Sequence, residues 1–306
     1  MRTSLFAGGI FAGLTLLAAP AFAGGELTDA EKSELKAAFE RALVADVQAE
    51  LTSVAERKQC GEKAICEETG ECNLECNCAP AGELFAYHLQ AKPAGWKVVG
   101  PMVKERFADR GTAAADKERM LDLLAWAGAQ KPAVALSEKL HEMDAKAFNG
   151  DHVLAFAESG SETMFKEAKA RAKSDLRCAA LVAMKGGEVS EKTLAKATKQ
   201  KLSDDTALID AYTAAAALKK MGNKDHWSRL QERVHDEVIT ALDDGAIDRA
   251  RDLTLAAEFC VKSMSKGKGY GLSYLDSRLG FHRSLRSGDV AEADQVFELI
   301  EKVSPL

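Results

Sequence analysis

Aromatic residues are scarce in this chain, at 6% of its 306 residues, and prolines number only six. Strand-rich folds draw on aromatic and β-branched side chains. Their shortage argues against a sheet-dominated architecture. Positive charge is also not in excess: 41 Lys and Arg stand against 47 Asp and Glu, for a net charge of −6. Nucleic-acid binding rests on clustered Lys and Arg, so no nucleic-acid partner is expected. Beyond the first 23 residues no apolar, uncharged run is long enough to span a bilayer. The six histidines, His88, His141, His152, His226, His235 and His282, form no His-Glu-x-x-His pair. His141-Glu142 lacks the second His that zinc ligation from one helix face requires. No Gly-x-Ser-x-Gly elbow and no phosphate loop is present. The chain carries no recognisable catalytic motif, and no catalytic residue is expected.

An export signal opens the chain. Arg2 supplies the positive start, Leu5 to Ala19 is apolar, and Ala21-Phe22-Ala23 is a small-x-small cleavage site. The mature chain is expected to begin at Gly24. An uncleaved anchor is the alternative, and Pro20 with the Ala-Phe-Ala triplet argues against it. No cysteine stands at the site to accept a lipid. Residues 1–23 hold one Arg and no acid, so the remainder carries −7. The expected location is periplasmic or secreted. The expected organisation is a signal peptide over 1–23, an N-terminal helix with a cysteine-rich loop over 24–80, and a helical domain over 81–306.

Ala, Leu, Lys and Glu dominate the mature chain, and these are helix formers. Thr28 and Glu31 fit a capping box, in which the hydroxyl and the carboxylate satisfy free backbone N–H groups. Leu35, Phe39, Leu43, Val47, Leu51 and Val54 then recur every three or four residues. That stripe predicts one helix from about Asp29 to about Gln59. Further on, Gly, Ser and Pro punctuate apolar helical patterns. Pro101 is expected in the first turn of a helix that turns Val103 and Phe107 inward. Asn149-Gly150 is expected to end one helical region. Ser161 and Ser203 are expected caps. Helices are expected over Asp175–Lys185, Ser190–Lys201, His226–Leu242, Ile247–Met264, Leu272–Leu285 and Asp289–Val303.

Five cysteines, Cys60, Cys66, Cys72, Cys76 and Cys78, fall within nineteen residues rich in turn formers. In an exported chain such a group most often becomes disulfides. Five is odd, so one stays free or reaches Cys178 or Cys260. Connectivity is not legible from spacing. The spacing matches neither paired zinc knuckles nor iron–sulfur runs, and Cys-x-x-Cys is absent. No cofactor is the first expectation. The alternative is a metal-binding or redox loop holding zinc or copper, with Glu62, Glu67, Glu68, Glu71 and Glu75 nearby. Cys178 and Cys260 lie in apolar helices and read as buried thiols.

Two segments resemble each other. Cys178-Ala179-Ala180-Leu181 leads to Met184 and Gly186, and Ala215-Ala216-Ala217-Leu218 leads to Met221 and Gly222. The 37-residue offset between Leu181 and Leu218 fits a helix-pair repeat. The run Asp175-Leu176-Arg177-Cys178-Ala179-Ala180-Leu181 resembles the first helix of a HEAT-type repeat, with Leu194 in the second. The resemblance is clearest over residues 175–243, and its second unit lacks the Asp and Arg. It implies an all-α solenoid of stacked helix pairs offering a continuous face to a protein partner. Ala-rich rows such as Ala214 to Ala217 suit close helix approach. The expected function is an exported binding or scaffold protein. Lys266, Gly267, Lys268 and Gly269 form a basic, glycine-rich loop before a helix. Backbone N–H groups there suit an anion, although a plain connector is the favoured reading.

Overall fold

The computed structural model describes residues 26–44, 89, 93–126, 131–264, 272, 273 and 275–304. Residues 1–23, the five-cysteine cluster, the 266–269 loop and the part of the expected first helix beyond Val44 lie outside the described residues. Within the described residues the chain is all-helical, with thirteen α-helices and no strand. No helix among them is long and apolar enough to cross a membrane.

The helices are α1 (Asp29–Val44), α2 (Trp96–Ala108), α3 (Ala114–Trp126), α4 (Lys131–Met143), α5 (Gly150–Glu158), α6 (Glu162–Arg171) and α7 (Leu176–Met184). They continue as α8 (Glu191–Ala197), α9 (Asp205–Lys220), α10 (Asp225–Asp243), α11 (Ile247–Met264), α12 (Leu275–Arg286) and α13 (Ala293–Val303). Helices α3, α5, α7, α9 and α11 form a row in which each touches the next. Helices α6, α8 and α10 each touch the row helix before and after. Packing is therefore between near neighbours in sequence until α12, which turns back onto α9 and α11.

Local chemistry explains where these helices start. Thr28 N–H donates to Glu31 Oε2 at 2.8 Å and Glu31 N–H donates to Thr28 Oγ1 at 3.2 Å, the reciprocal bonds of a capping box. Ser161 Oγ accepts from Met164 N–H at 3.1 Å, and Asp175 Oδ1 accepts from Cys178 N–H at 2.9 Å. Three expectations change. Asp204, not Ser203, caps α9: its Oδ1 accepts from Ala207 N–H at 2.9 Å, while the Ser203 hydroxyl donates to Asp204. A carboxylate at this position draws the free N–H groups and the positive end of the helix together. Asn149-Gly150 starts α5 instead of ending α4, because Asn149 Oδ1 accepts from His152 N–H at 2.9 Å. Pro101 lies inside α2, not in its first turn, because a 3₁₀ turn at Pro93–Gly95 leads the helix in earlier. Val103 and Phe107 do face inward, each 1% exposed.

The two similar segments end alike. Gly187 N–H donates to Val182 O at 2.8 Å, and Asn223 N–H donates to Leu218 O at 2.9 Å. These are the long 6→1 bonds of a Schellman stop. Each wraps around a left-handed glycine, Gly186 at φ 80° and Gly222 at φ 101°, a conformation that a side chain would oppose. The stops are 36 residues apart, one fewer than the leucine offset. Met184 therefore closes α7 and is buried, whereas Met221 falls just past α9 and is 42% exposed.

Ala214, Ala215, Ala216 and Ala217 are all buried, as are Ala179, Ala180, Ala256 and Ala257. Small side chains on every side of α9 let five other helices reach it: α7, α8, α10, α11 and α12. Tyr212 is fully buried in the same helix and meets Trp227 edge-on, with ring centroids 5.3 Å apart.

Candidate functional site

Helix α12 is joined to the helix row by charged groups as well as by buried leucines. Its sequence, LDSRLGFHRSLR, carries three arginines against one aspartate in an acidic chain. Leu275 and Leu279 are fully buried and His282 is 8% exposed, so positions i, i+4 and i+7 form its seated edge. Around that edge lies a ring of ion pairs.

Arg177 on α7 bridges two carboxylates. Its Nε donates to Asp210 Oδ1 on α9 at 3.1 Å, and its Nη2 donates to Asp276 Oδ2 on α12 at 2.7 Å. The Thr206 hydroxyl donates to the other Asp276 oxygen at 2.9 Å. Burial opposes the Arg177 charge, but the two aspartates outweigh it and raise its pKa. Burial also raises Asp210 above the usual carboxylate range despite Arg177. Asp151, in the first turn of α5, is raised by burial too, with Arg177 countering and Asp276 adding to the shift.

Arg283 grips Asp205 with two nitrogens: Nη1 donates to Oδ2, and Nη2 donates to Oδ1 at 2.7 Å. Its Nη2 also donates to the Asp252 carbonyl at 2.8 Å, tying α12 to both α9 and α11. Glu258 on α11 is 4% exposed at its side chain and meets three basic side chains: Lys262 Nζ at 2.6 Å, His282 Nε2 at 2.9 Å and Arg286 Nη2 at 3.4 Å. Burial pushes its carboxyl up. Hydrogen bonds from His282 and Lys262, with the Lys262 charge, override burial and hold it at about 2. The segment leading into α12 is held by Glu158 at the end of α5. Leu272 N–H donates to its Oε1 at 2.8 Å and Ser273 Oγ donates to its Oε2 at 3.3 Å.

The histidines do not assemble a nucleophile–base pair among the described residues. His152 accepts from Asn149 N–H through Nδ1 at 3.3 Å, which leaves Nε2 to donate to Asp122 Oδ1 at 2.9 Å. Both ring nitrogens are thus committed to structure. His226 Nδ1 lies 3.0 Å from Thr198 Oγ1, but that hydroxyl donates to the Ala195 carbonyl at 2.9 Å. The Ala195 carbonyl thus gives the hydroxyl proton an acceptor other than the imidazole. His235 contacts Glu301 at 3.0 Å. Cys178 and Cys260 are free and buried. Burial, then Asp175, pushes the Cys178 thiol up to about 12, and burial raises Cys260 as well. Neither is an effective thiolate at neutral pH. No group of three or more His, Cys, Asp or Glu side chains suited to a metal ion occurs among the described residues. An open depression of about 580 Å³ beside α4 and α6 is lined by Lys131, Val134, Glu138, Gly160, Thr163 and Lys166.

Cys60, Cys66, Cys72, Cys76 and Cys78, and the loop Lys266, Gly267, Lys268 and Gly269, lie outside the described residues. The structure brings together a different set: Arg177, Asp205, Asp210, Glu258, Asp276, His282 and Arg283. Sequence reasoning had Arg177 inside a repeat pattern and α12 as an ordinary helix. The one available signal was the basic run of α12 in an acidic chain. No protein-family model, curated protein or solved structure matches this chain.

Proposed function

We propose that this chain is an exported scaffold of stacked helix pairs that recognises a protein partner along the row α5, α7, α9 and α11. The observation that carries the reading is the near-neighbour packing of the helices, with α6, α8 and α10 each clasped between consecutive row helices. Such units leave an apolar side bare when alone and cover it by stacking. In the HEAT-like reading, α7 with α8 and α9 with α10 are successive pairs. Residues 24–80 cap the N-terminal end, and the Cys60–Cys78 loop is pinned by disulfides. The charged edge of the row supplies polar recognition around small apolar seats, the arrangement that favours specificity at an interface.

The test is purification of the chain from its native envelope fraction, identification of what accompanies it, and titration calorimetry with the two purified components. A saturable complex that weakens on substitution of row residues such as Asp210 supports the reading. A chain that travels alone, or a complex indifferent to row substitutions, overturns it. The cysteine cluster motivates a second proposal on its sequence alone, a zinc- or copper-binding or redox loop. Mass spectrometry with and without reductant decides it: four or five free thiols with bound metal favour the metal reading, and disulfides favour the scaffold.

A further inference from the structure

We infer that the face built by α7, α9 and α11 is a docking groove for a basic amphipathic helix, and that α12 is its resident occupant, which a partner helix of the same chemistry displaces. This rests on the scaffold reading and adds the class of partner and the place where it binds.

The groove side is acidic and the occupant is basic. Asp205, Asp210 and Glu258 come from α9 and α11, with Glu158 at the entry. Against them α12 presents His282, Arg283 and Arg286, while Arg278 lies over the Phe259 ring at 5.9 Å. Among the α12 side chains described, the buried ones are Leu275, Leu279 and His282. By contrast, α9 buries ten residues from Leu208 to Leu218. Helix α12 is therefore seated as a groove-bound peptide is, by anchors at i, i+4 and i+7 flanked by charges. Most of the holding charges are partly exposed: the Asp276 side chain is 44% open and that of Asp205 is also 44% open. Such pairs are screened by salt and individually weak. A helix held this way exchanges more readily than its neighbours. Two groups are exceptions: Glu258, whose side chain is 4% exposed, holds His282, and Arg177 contributes from the groove and reads Asp276 at the start of the docked helix.

The probe is a fluorescein-labelled peptide of residues 272–286, added in trans to the full chain and followed by anisotropy. In the wild type, resident α12 competes, so apparent affinity falls by the fraction of chains that are open. Arg283→Glu repels Asp205 and loosens the resident helix while leaving the groove intact. The expected result is peptide binding about tenfold tighter or more in R283E than in the wild type. Adding Asp205→Arg re-pairs the resident helix and returns binding to the wild-type level. Hydrogen exchange on the wild-type chain gives a second reading that does not depend on R283E folding. Raising salt from about 0.05 M to about 0.5 M speeds exchange of α12 amides and leaves α7 and α9 unchanged. A folded R283E that binds no peptide, or α12 amides that exchange in step with α9 at every salt concentration, overturns the inference. Because both assays use the purified chain alone, they separate the two readings. A locked α12 alongside a reconstituted complex sinks only the groove. An exchangeable α12 with no complex sinks only the scaffold function.

Discussion

Replacing Glu258 by Gln removes one buried charge and keeps its shape. The carboxylate is held at about 2, against an ordinary value of 4.5, by His282 and Lys262 acting against burial. Each tenfold change in that proton equilibrium is worth about 1.4 kcal/mol, so the full difference corresponds to about 3 kcal/mol. Lys262 is 57% exposed and its share is screened by water. Allowing for that, Glu258→Gln is expected to cost about 2 kcal/mol at neutral pH. The pH dependence has a definite sign. The folded pKa lies below the unfolded one, so the stabilisation is fully present above 4.5 and is lost as pH falls toward about 2. Urea titrations followed by helical circular dichroism, on wild type and E258Q side by side, measure it. The gap between the two chains should be full at pH 7 and shrink to less than half by about pH 3. An E258Q chain as stable as wild type at pH 7 would refute the reasoning. So would a gap of equal size at both pH values, because packing and not charge would then account for the loss.

Cys178 and Cys260 should resist a thiol reagent in the folded chain at pH 8 and react fully in denaturant, because burial pushes Cys178 up to about 12 and raises Cys260 too. Fast reaction of either in the native state would contradict their burial. Asp175→Ala should cost about 1 kcal/mol by leaving the Cys178 N–H at the start of α7 without its cap; urea midpoints measure this. Asp204→Ala should lower the melting temperature more than Ser203→Ala, since Asp204 holds the Ala207 N–H. Ala216→Leu forces a large side chain into a fully buried position on α9 and should cost about 1–3 kcal/mol. A neutral A216L would mean that α9 is less tightly surrounded than its five helix neighbours indicate.

Helix existence was legible in the sequence because it depends on local cues. The Thr28–Glu31 box, the Ser161 cap and the glycine stops act within a few residues of themselves, and the structure places each where the local chemistry requires. Where two local cues competed, the sequence misled. Ser203 and Asp204 are both good caps, and only the backbone shows which oxygen reaches Ala207. Asn149 carries the signals of a helix end and of a helix start, and the His152 N–H decides for a start. The charged seat of α12 was not legible because its pairs are remote in sequence. Arg177 and Asp276 are 99 residues apart, and Asp205 and Arg283 are 78 apart. Nothing in the local pattern of either partner names the other. The 37-residue leucine spacing exceeds by one the 36 residues between the two glycine stops, because leucine matching ignores where the left-handed glycine sits.

The partner-binding account is tested most directly by photo-crosslinking in the native envelope, with the crosslinker placed at Thr206 on the charged edge and, as control, at the exposed Phe297 on α13. The account predicts a crosslink from Thr206 to one identifiable protein whose contact segment is a basic amphipathic helix, and none from Phe297. Equal adducts from both positions, or crosslinks from Thr206 to this chain's own α12 and to nothing else under every condition, would contradict it.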